Sequence, residues 1–164
     1  MILALALGGC SPAGDGFATS KAFDGPARHV IFEDGEVAFP FVVGVEPVGA
    51  AGKAPRVDFG FDVAWTVTTA GPATVRVVTF TDEDTWVPTP WEVRVNGEET
   101  FAQSSVGHTC DRGEERCEVA YEAAIEVREG GAADISWTVA AWVEGRPGSA
   151  AKISDDTALD VVFE

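Results

Sequence analysis

The sequence predicts an all-β fold, an antiparallel β-sandwich of about eight short strands. From about Arg28 onward, apolar residues recur at every second position, which is typical of strands that bury one face. No segment shows the spacing of an amphipathic helix, and turn-forming residues separate the apolar runs. These observations favour an immunoglobulin-like or jelly-roll-like sandwich, and a closed β-barrel is the alternative.

The predicted strands follow one another with turn signals between them. The clearest is "VDFGFDVAWTV", whose core-facing residues would be Val57, Phe59, Phe61, Val63, Trp65 and Val67. The others, in chain order, are RHVIF, EVAFPFVVGV, ATVRVVTFT, WEVRV, EETFA, CEVAYEAAIEVR, DISWTVAAWVE and ALDVVFE. A chain of 164 residues suits one domain, assigned to residues 28–164, and buries roughly 68–70% of its unfolded surface.

Two adjacent strand pairs are expected to form hairpins. The dipeptide Asn96-Gly97 suits a type I′ turn, which would pair Val95 with Glu98. Near the end of the chain, the glycines at 130 and 131 would join a hairpin with Ile125 opposite Trp137. In that register every odd-numbered apolar residue lies on one face, and the solvent face carries Glu118, Glu122 and Glu126.

The charge balance excludes one class of partner. Lys and Arg total 11 against 27 Asp and Glu, so the net charge is −16. Nucleic acid is not expected as a partner, because its phosphates would be repelled and no basic patch exists to release counterions. The same charge argues against broad adhesion to an anionic lipid surface and is compatible with cations, neutral sugars or basic proteins.

The chain has three cysteines, and one of them has no other cysteine close to it in the sequence. Cys110 and Cys117 lie close together in "HTCDRGEERCEV" and are predicted to form a disulfide across a short loop. Cys10 then requires a separate explanation, because a free thiol is a liability in the oxidising compartment where disulfides persist.

The residues around Cys10 suggest that explanation. The apolar run "ILALALGG" is too short to span a bilayer and has the length of a signal-peptide core. Leu7-Gly8-Gly9-Cys10 resembles the lipobox of bacterial lipoproteins. The resemblance implies that residues 1–9 are the remnant of a signal peptide and that Cys10 carries acyl chains. It also implies a location in the bacterial cell envelope, with Ser11 indicating the outer membrane if the cell is a diderm.

Residues 10–27 are rich in Gly, Pro, Ser, Ala and Asp and are predicted to be a flexible tether. Such a tether would let the folded domain stand off the membrane to which Cys10 is anchored.

The most suggestive segment for ligand binding is "TFTDEDTWVPTPWEV". Its candidate ligand-binding residues are Asp82, Asp84, Trp86 and Trp91. Clustered carboxylates could hold Ca²⁺, although the spacing of a calcium loop is absent, and exposed indoles could stack on sugars. The competing interpretation is a solvated acidic turn followed by tryptophans that close the core. No other cofactor or metal is expected.

No pattern typical of a nucleophile, a phosphate loop or a metal centre occurs. The sequence therefore predicts a lipid-anchored envelope β-sandwich, a non-catalytic binding or structural module whose partner is a glycan or an envelope protein. The alternative is an envelope enzyme or an enzyme accessory, for example a carbohydrate-binding one, with a site assembled only in three dimensions.

Overall fold

The structure of the chain is a computed structural model. The structure describes residues 18–49, 54–81, 91–104, 107–145 and 156–164. Within these ranges the chain forms eleven strands and one short 3₁₀ turn. The strands are β1 (Ala18–Asp24), β2 (Arg28–Ile31), β3 (Glu36–Glu46), β4 (Val57–Thr68), β5 (Ala73–Thr81), β6 (Trp91–Val95), β7 (Glu98–Ser104), β8 (His108–Cys110), β9 (Cys117–Glu129), β10 (Ala132–Gly145) and β11 (Ala158–Phe163).

The strands form two antiparallel sheets that pack face to face. Sheet I has the order β1-β10-β4-β7, with β2 continuing the edge of β1 and β8 continuing the edge of β7. Sheet II has the order β11-β3-β9-β5-β6. No strand of one sheet pairs with a strand of the other within the described ranges. The predicted β-sandwich is therefore confirmed, and the alternative, a closed barrel, is not formed.

Odd-numbered residues of the long strands fill the space between the sheets, as alternation predicts. Trp65 and Trp137 stack with ring centroids 5.2 Å apart, and Phe39 meets both rings edge-on. Each indole N–H has an acceptor, because Trp65 donates to the side-chain oxygen of Gln103 and Trp137 donates to the carbonyl of Pro26. The centre of the sandwich is thus a closely packed aromatic cluster without an unpaired indole donor.

The two predicted hairpins are both wrong, because each turn carries the chain from one sheet to the other. Strand β6 pairs with β5 in sheet II, whereas β7 pairs with β4 in sheet I. Val95 therefore lies opposite Ala73 and not opposite Glu98. Gly97 has the positive φ, 96°, that the Asn-Gly dipeptide predicts, but its turn connects a strand of sheet II to a strand of sheet I.

The connection through Gly130 and Gly131 behaves in the same way. Strand β9 lies between β3 and β5 in sheet II, and β10 lies at the centre of sheet I. Ile125 consequently pairs with Val37 and Val77, whereas Trp137 pairs with Trp65. The facing of the side chains was predicted correctly, since the glutamates of β9 stay outside the core while Ile125 is fully buried.

Strand β1 occupies part of the range that was assigned to a tether. Residues 18–24 pair with β10 along their whole length, from Ala18 opposite Glu144 to Asp24 opposite Thr138. The segment "ATSKAFD" has too few apolar residues to show alternation, because an edge strand is held mainly by backbone hydrogen bonds to its neighbour. The described domain thus begins before Arg28.

Candidate functional site

Four connections converge at one end of the sandwich, which we call the arch end. They are the 3₁₀ turn Phe32–Asp34 and the connections at 69–72, 96–97 and 130–131. Each of them crosses from one sheet to the other. The opposite end holds the Cys110–Cys117 bond and is called the disulfide end. Loops at the end of a rigid sandwich are a common location for binding sites, because they vary without disturbing the sheets.

An open groove of about 490 Å³ lies at the arch end. Phe32 forms part of its wall and is 55% exposed, which makes it the most exposed large apolar side chain of the described residues. The turn is fixed in place, since the Phe32 N–H donates to the carbonyl of Gly131 over 2.8 Å. The Asp34 carboxylate accepts a hydrogen bond from the Ile31 N–H within the same turn. The lining residues are Ile31, Phe32, Glu33, Arg128, Glu129, Gly130 and Gly131.

Two charged residues of the groove wall, Arg128 and Glu129, are already paired. Arg128 donates to the carboxylates of Glu92 and Glu126, over 2.9 and 3.2 Å. Glu129 accepts a hydrogen bond from the Thr74 hydroxyl and lies 3.8 Å from a guanidinium nitrogen of Arg94. The Arg128 guanidinium is thus shared between two carboxylates, which favours an apolar or cationic occupant over an anionic one.

At the disulfide end, Cys110 and Cys117 are bonded with their Cα atoms 5.8 Å apart, as predicted. Next to this bond, Arg116 lies over Gly44 on the outer face of sheet II. Its guanidinium contacts three carboxylates, which are Glu118 at 2.5 Å, Glu46 at 2.8 Å and Asp160 at 2.9 Å.

The hydrogen bonds from Arg116 to Asp160 and Glu118 raise the pKa of the Arg116 guanidinium further above its ordinary value. The cluster joins β3, β11 and the disulfide loop, so its role is structural.

The candidate residues Cys10, Asp82, Asp84 and Trp86 lie outside the described residues. Trp91 begins β6, where its backbone pairs with Val77, but its side chain lies outside the description. The expected calcium site therefore stays a prediction. Among the described side chains, no group of three or more His, Cys, Asp or Glu residues is arranged to hold a metal ion. The described part of the chain also contains no helix long and apolar enough to cross a membrane.

Trp142, which is only partly buried, was not singled out by the sequence analysis. Trp142 occupies an even-numbered position of β10, whereas the core-facing residues of this strand have odd numbers. It lies on the outer face of sheet I, directly opposite Gly60 of β4. The alternation could have revealed it, because a tryptophan out of phase with its apolar neighbours must face outward.

Comparisons with known proteins identify no family. No family model matches the chain, and no curated protein matches it. Among solved structures, it is similar to a chain in the structure of infectious bursal disease virus Gx strain, with a TM-score of 0.35 and 8% identity. The match covers 94% of this chain and 42% of the viral chain, so the chain spans less than half the length of that protein. A likeness at this level identifies neither a family nor a function.

Proposed function

We propose that the protein is a lipid-anchored binding module of the bacterial cell envelope that has no catalytic activity of its own. The observation that carries this proposal is the groove at the arch end, where the aromatic side chain of Phe32 is exposed. Exposure of Phe32 is unfavourable for an isolated soluble domain, since each Å² of apolar surface left in water costs about 25 cal/mol. Concave surfaces lined by apolar and aromatic side chains are the usual binding sites for small ligands.

The position of the first strand supports an anchored orientation. Ala18 pairs with Glu144, whose other neighbour is Asp58, close to the disulfide end. Cys10 precedes Ala18 by eight residues, which span at most about 28 Å. Strand β10, with 14 residues, extends about 45 Å toward the arch end. An acyl chain on Cys10 would hold the disulfide end near the membrane, with the groove facing away from it.

The anchor is tested by metabolic labelling with an alkyne analogue of palmitate in the native host. The wild-type protein should incorporate the label and sediment with membranes, whereas the Cys10→Ser variant should do neither. An unmodified N-terminus upstream of Cys10, found by mass spectrometry in the native host, would refute the anchor.

The groove is tested by placing a photo-crosslinking amino acid at position 32. The matched control carries the same group at position 162, because Val162 is 52% exposed but lies on the outer face of sheet II. We expect a discrete crosslinked product in intact envelopes from position 32 only. Equal products from both positions, or none from either, would contradict a binding role for the groove.

A further inference from the structure

The outer face of sheet I contains a tryptophan that the core does not require. The structure describes the side chains of three tryptophans. Trp65 and Trp137 lie in the aromatic cluster, and Trp142 lies on the outer face of sheet I. It is only partly buried, whereas Trp65 and Trp137 are 0% and 4% exposed. The fold already obtains its packing from those two inward indoles, so Trp142 needs a different explanation.

The ring of Trp142 lies along the sheet surface and does not stand away from it. Its direct neighbours across β10 are Ser20 of β1 and Gly60 of β4, both without a bulky side chain. A Cβ placed on Gly107 would lie 3.1 Å from Cη2 of Trp142 and 3.7 Å from Cζ2. Because Gly107 directly precedes β8, which pairs with β4, the indole crosses β4 above Gly60. Gly60 lies opposite Trp142 in the sheet and is buried. The indole thus extends along the outer face of sheet I as far as Gly107, and its side chain stays partly exposed.

The polar edge of this ring is also available. Within the described ranges, the Nε1–H of Trp142 has no hydrogen-bond partner, in contrast to the indole donors of Trp65 and Trp137. An indole donor at a solvated surface can hydrogen-bond to water or to a ligand. Trp142 therefore offers both an apolar face and a donor.

Two carboxylates flank the ring symmetrically. Asp58 and Asp62 precede and follow Gly60 by two residues, so they lie on the same outer face as Gly60. They are the diagonal cross-strand neighbours of Trp142, for which the typical separation between residues is about 7–8 Å. The Asp58 carboxylate is oriented by the Thr109 hydroxyl, which donates to it over 2.7 Å. The other carboxylate, on Asp62, has no hydrogen-bond or ion-pair partner among the described residues. Hydroxyl donors of a ligand on the ring would find acceptors on either side.

We infer that Trp142 is the platform of a binding site for neutral oligosaccharides. The C–H groups on the apolar face of a pyranose ring are attracted to the electron-rich face of an indole, while its equatorial hydroxyls donate to neighbouring carboxylates. This inference rests on the proposed binding function and names the ligand class of a second surface of the module. It differs in place from the groove at Phe32.

The charges and the shape exclude the main competitors. Uronates, sulfated sugars and phosphates would be repelled by Asp58, Asp62 and the net charge of −16. Quaternary ammonium groups are recognised by aromatic cages. Trp142 has no ring contact with another described aromatic residue, so it provides one wall and not a cage.

The test is a ¹H–¹⁵N NMR titration of the full chain with four probes, which are the hexaoses of cellulose, xylan, mannan and chitin. The Trp142 indole resonance is assigned with the Trp142→Phe variant. We expect at least one probe to shift that resonance and the amides around Gly60, while the indoles of Trp65 and Trp137 stay unshifted. Trp142→Ala should weaken binding about tenfold or more, and Trp142→Phe should weaken it less because it keeps an aromatic face.

Matched variants separate the role of the platform from an effect on folding. Val162→Ala, on the outer face of the other sheet, should bind the probe as the wild type does. Asp62→Ala should weaken binding without lowering Tm, since this exposed-face carboxylate has no described partner to lose. Tm is measured for every variant, so that a loss of binding is scored only in a folded protein.

Three outcomes would overturn the inference. These are the absence of any shift with all four sugars at millimolar concentration, sugar binding that survives Trp142→Ala, and a shift of the Trp142 indole by tetramethylammonium but by none of the sugars. None of these outcomes affects crosslinking at position 32, so the proposed binding function could stand while the sugar site fails.

Discussion

Substitution of the two glycines that join β9 to β10 provides a sharp test of the sheet-crossing architecture. Gly130 and Gly131 are adjacent and have nearly the same backbone conformation, with φ values of 96° and 87°. Their surroundings differ. A Cβ on Gly130 would lie 2.4 Å from the carbonyl oxygen of Pro72 and 2.6 Å from Cβ of Ala73, whereas a Cβ on Gly131 would meet nothing within 4 Å.

The free energies of unfolding of the two alanine variants should differ for this reason. An L-residue at a left-handed φ costs about 1–2 kcal/mol, and both variants lose this amount. Gly130→Ala in addition forces the chain between β4 and β5 away from the chain between β9 and β10, and such overpacking costs about 1–3 kcal/mol more. We therefore expect Gly130→Ala to lose about 2–5 kcal/mol and Gly131→Ala to lose about 1–2 kcal/mol.

Urea unfolding followed by tryptophan fluorescence and by circular dichroism measures both losses, provided that the two probes give coincident transitions and m is unchanged. The corresponding difference in Tm is about 2–4 °C for each kcal/mol in a domain of this size. If Gly131→Ala were as destabilising as Gly130→Ala, the close approach of the two connections would be refuted, and β9 and β10 could form the hairpin that the sequence predicted.

Two further predictions concern the disulfide end. Replacing Cys110 and Cys117 together by alanine should lower the free energy of unfolding by about 2.5 kcal/mol and leave the sandwich intact, because the bond closes only a short loop. Chemical denaturation measures the loss of stability, and far-ultraviolet circular dichroism shows whether the strands remain. An unfolded double variant would contradict this prediction. Arg116→Met should lower Tm at low ionic strength, because it leaves three carboxylates close together without a positive charge between them. The loss of Tm should be smaller in about 1 M NaCl, where charges are screened within about 3 Å. A loss of Tm that does not depend on salt would show that packing of the side chain over Gly44 matters more than its charge.

The apolar residues on the two sides of Asn96-Gly97 both occupy odd-numbered positions, and this spacing argues against the two-residue hairpin that the dipeptide itself predicts. A two-residue hairpin pairs odd positions with even ones, so Val95 and Phe101 would point to opposite faces. In the structure both lie on the core side, Val95 buried and Phe101 packed against the core. That arrangement is incompatible with a two-residue hairpin and compatible with a turn from one sheet to the other. The strongest local motif in the sequence was thus overridden by the pattern of the flanking strands.

The connection at Gly130 and Gly131 allowed no such deduction. Pairing Ile125 with Trp137 would keep every odd residue on one face, and so would placing the two strands in opposite sheets with those faces toward each other. Only the partners of each strand distinguish the two arrangements, and those partners are far away in sequence.

The sequence by itself determined which residues are inside, because alternation with period two is a local property of each strand and the apolar positions of β4 and β10 are unambiguous. It also determined the disulfide, since the two cysteines are close along the chain. The tertiary structure decided which strands are neighbours, that β1 completes an edge, and that Trp142 crosses Gly60 to reach Gly107. These features depend on contacts between residues distant in sequence, where the free energy of many weak contacts is summed over the whole fold and no local pattern records the result.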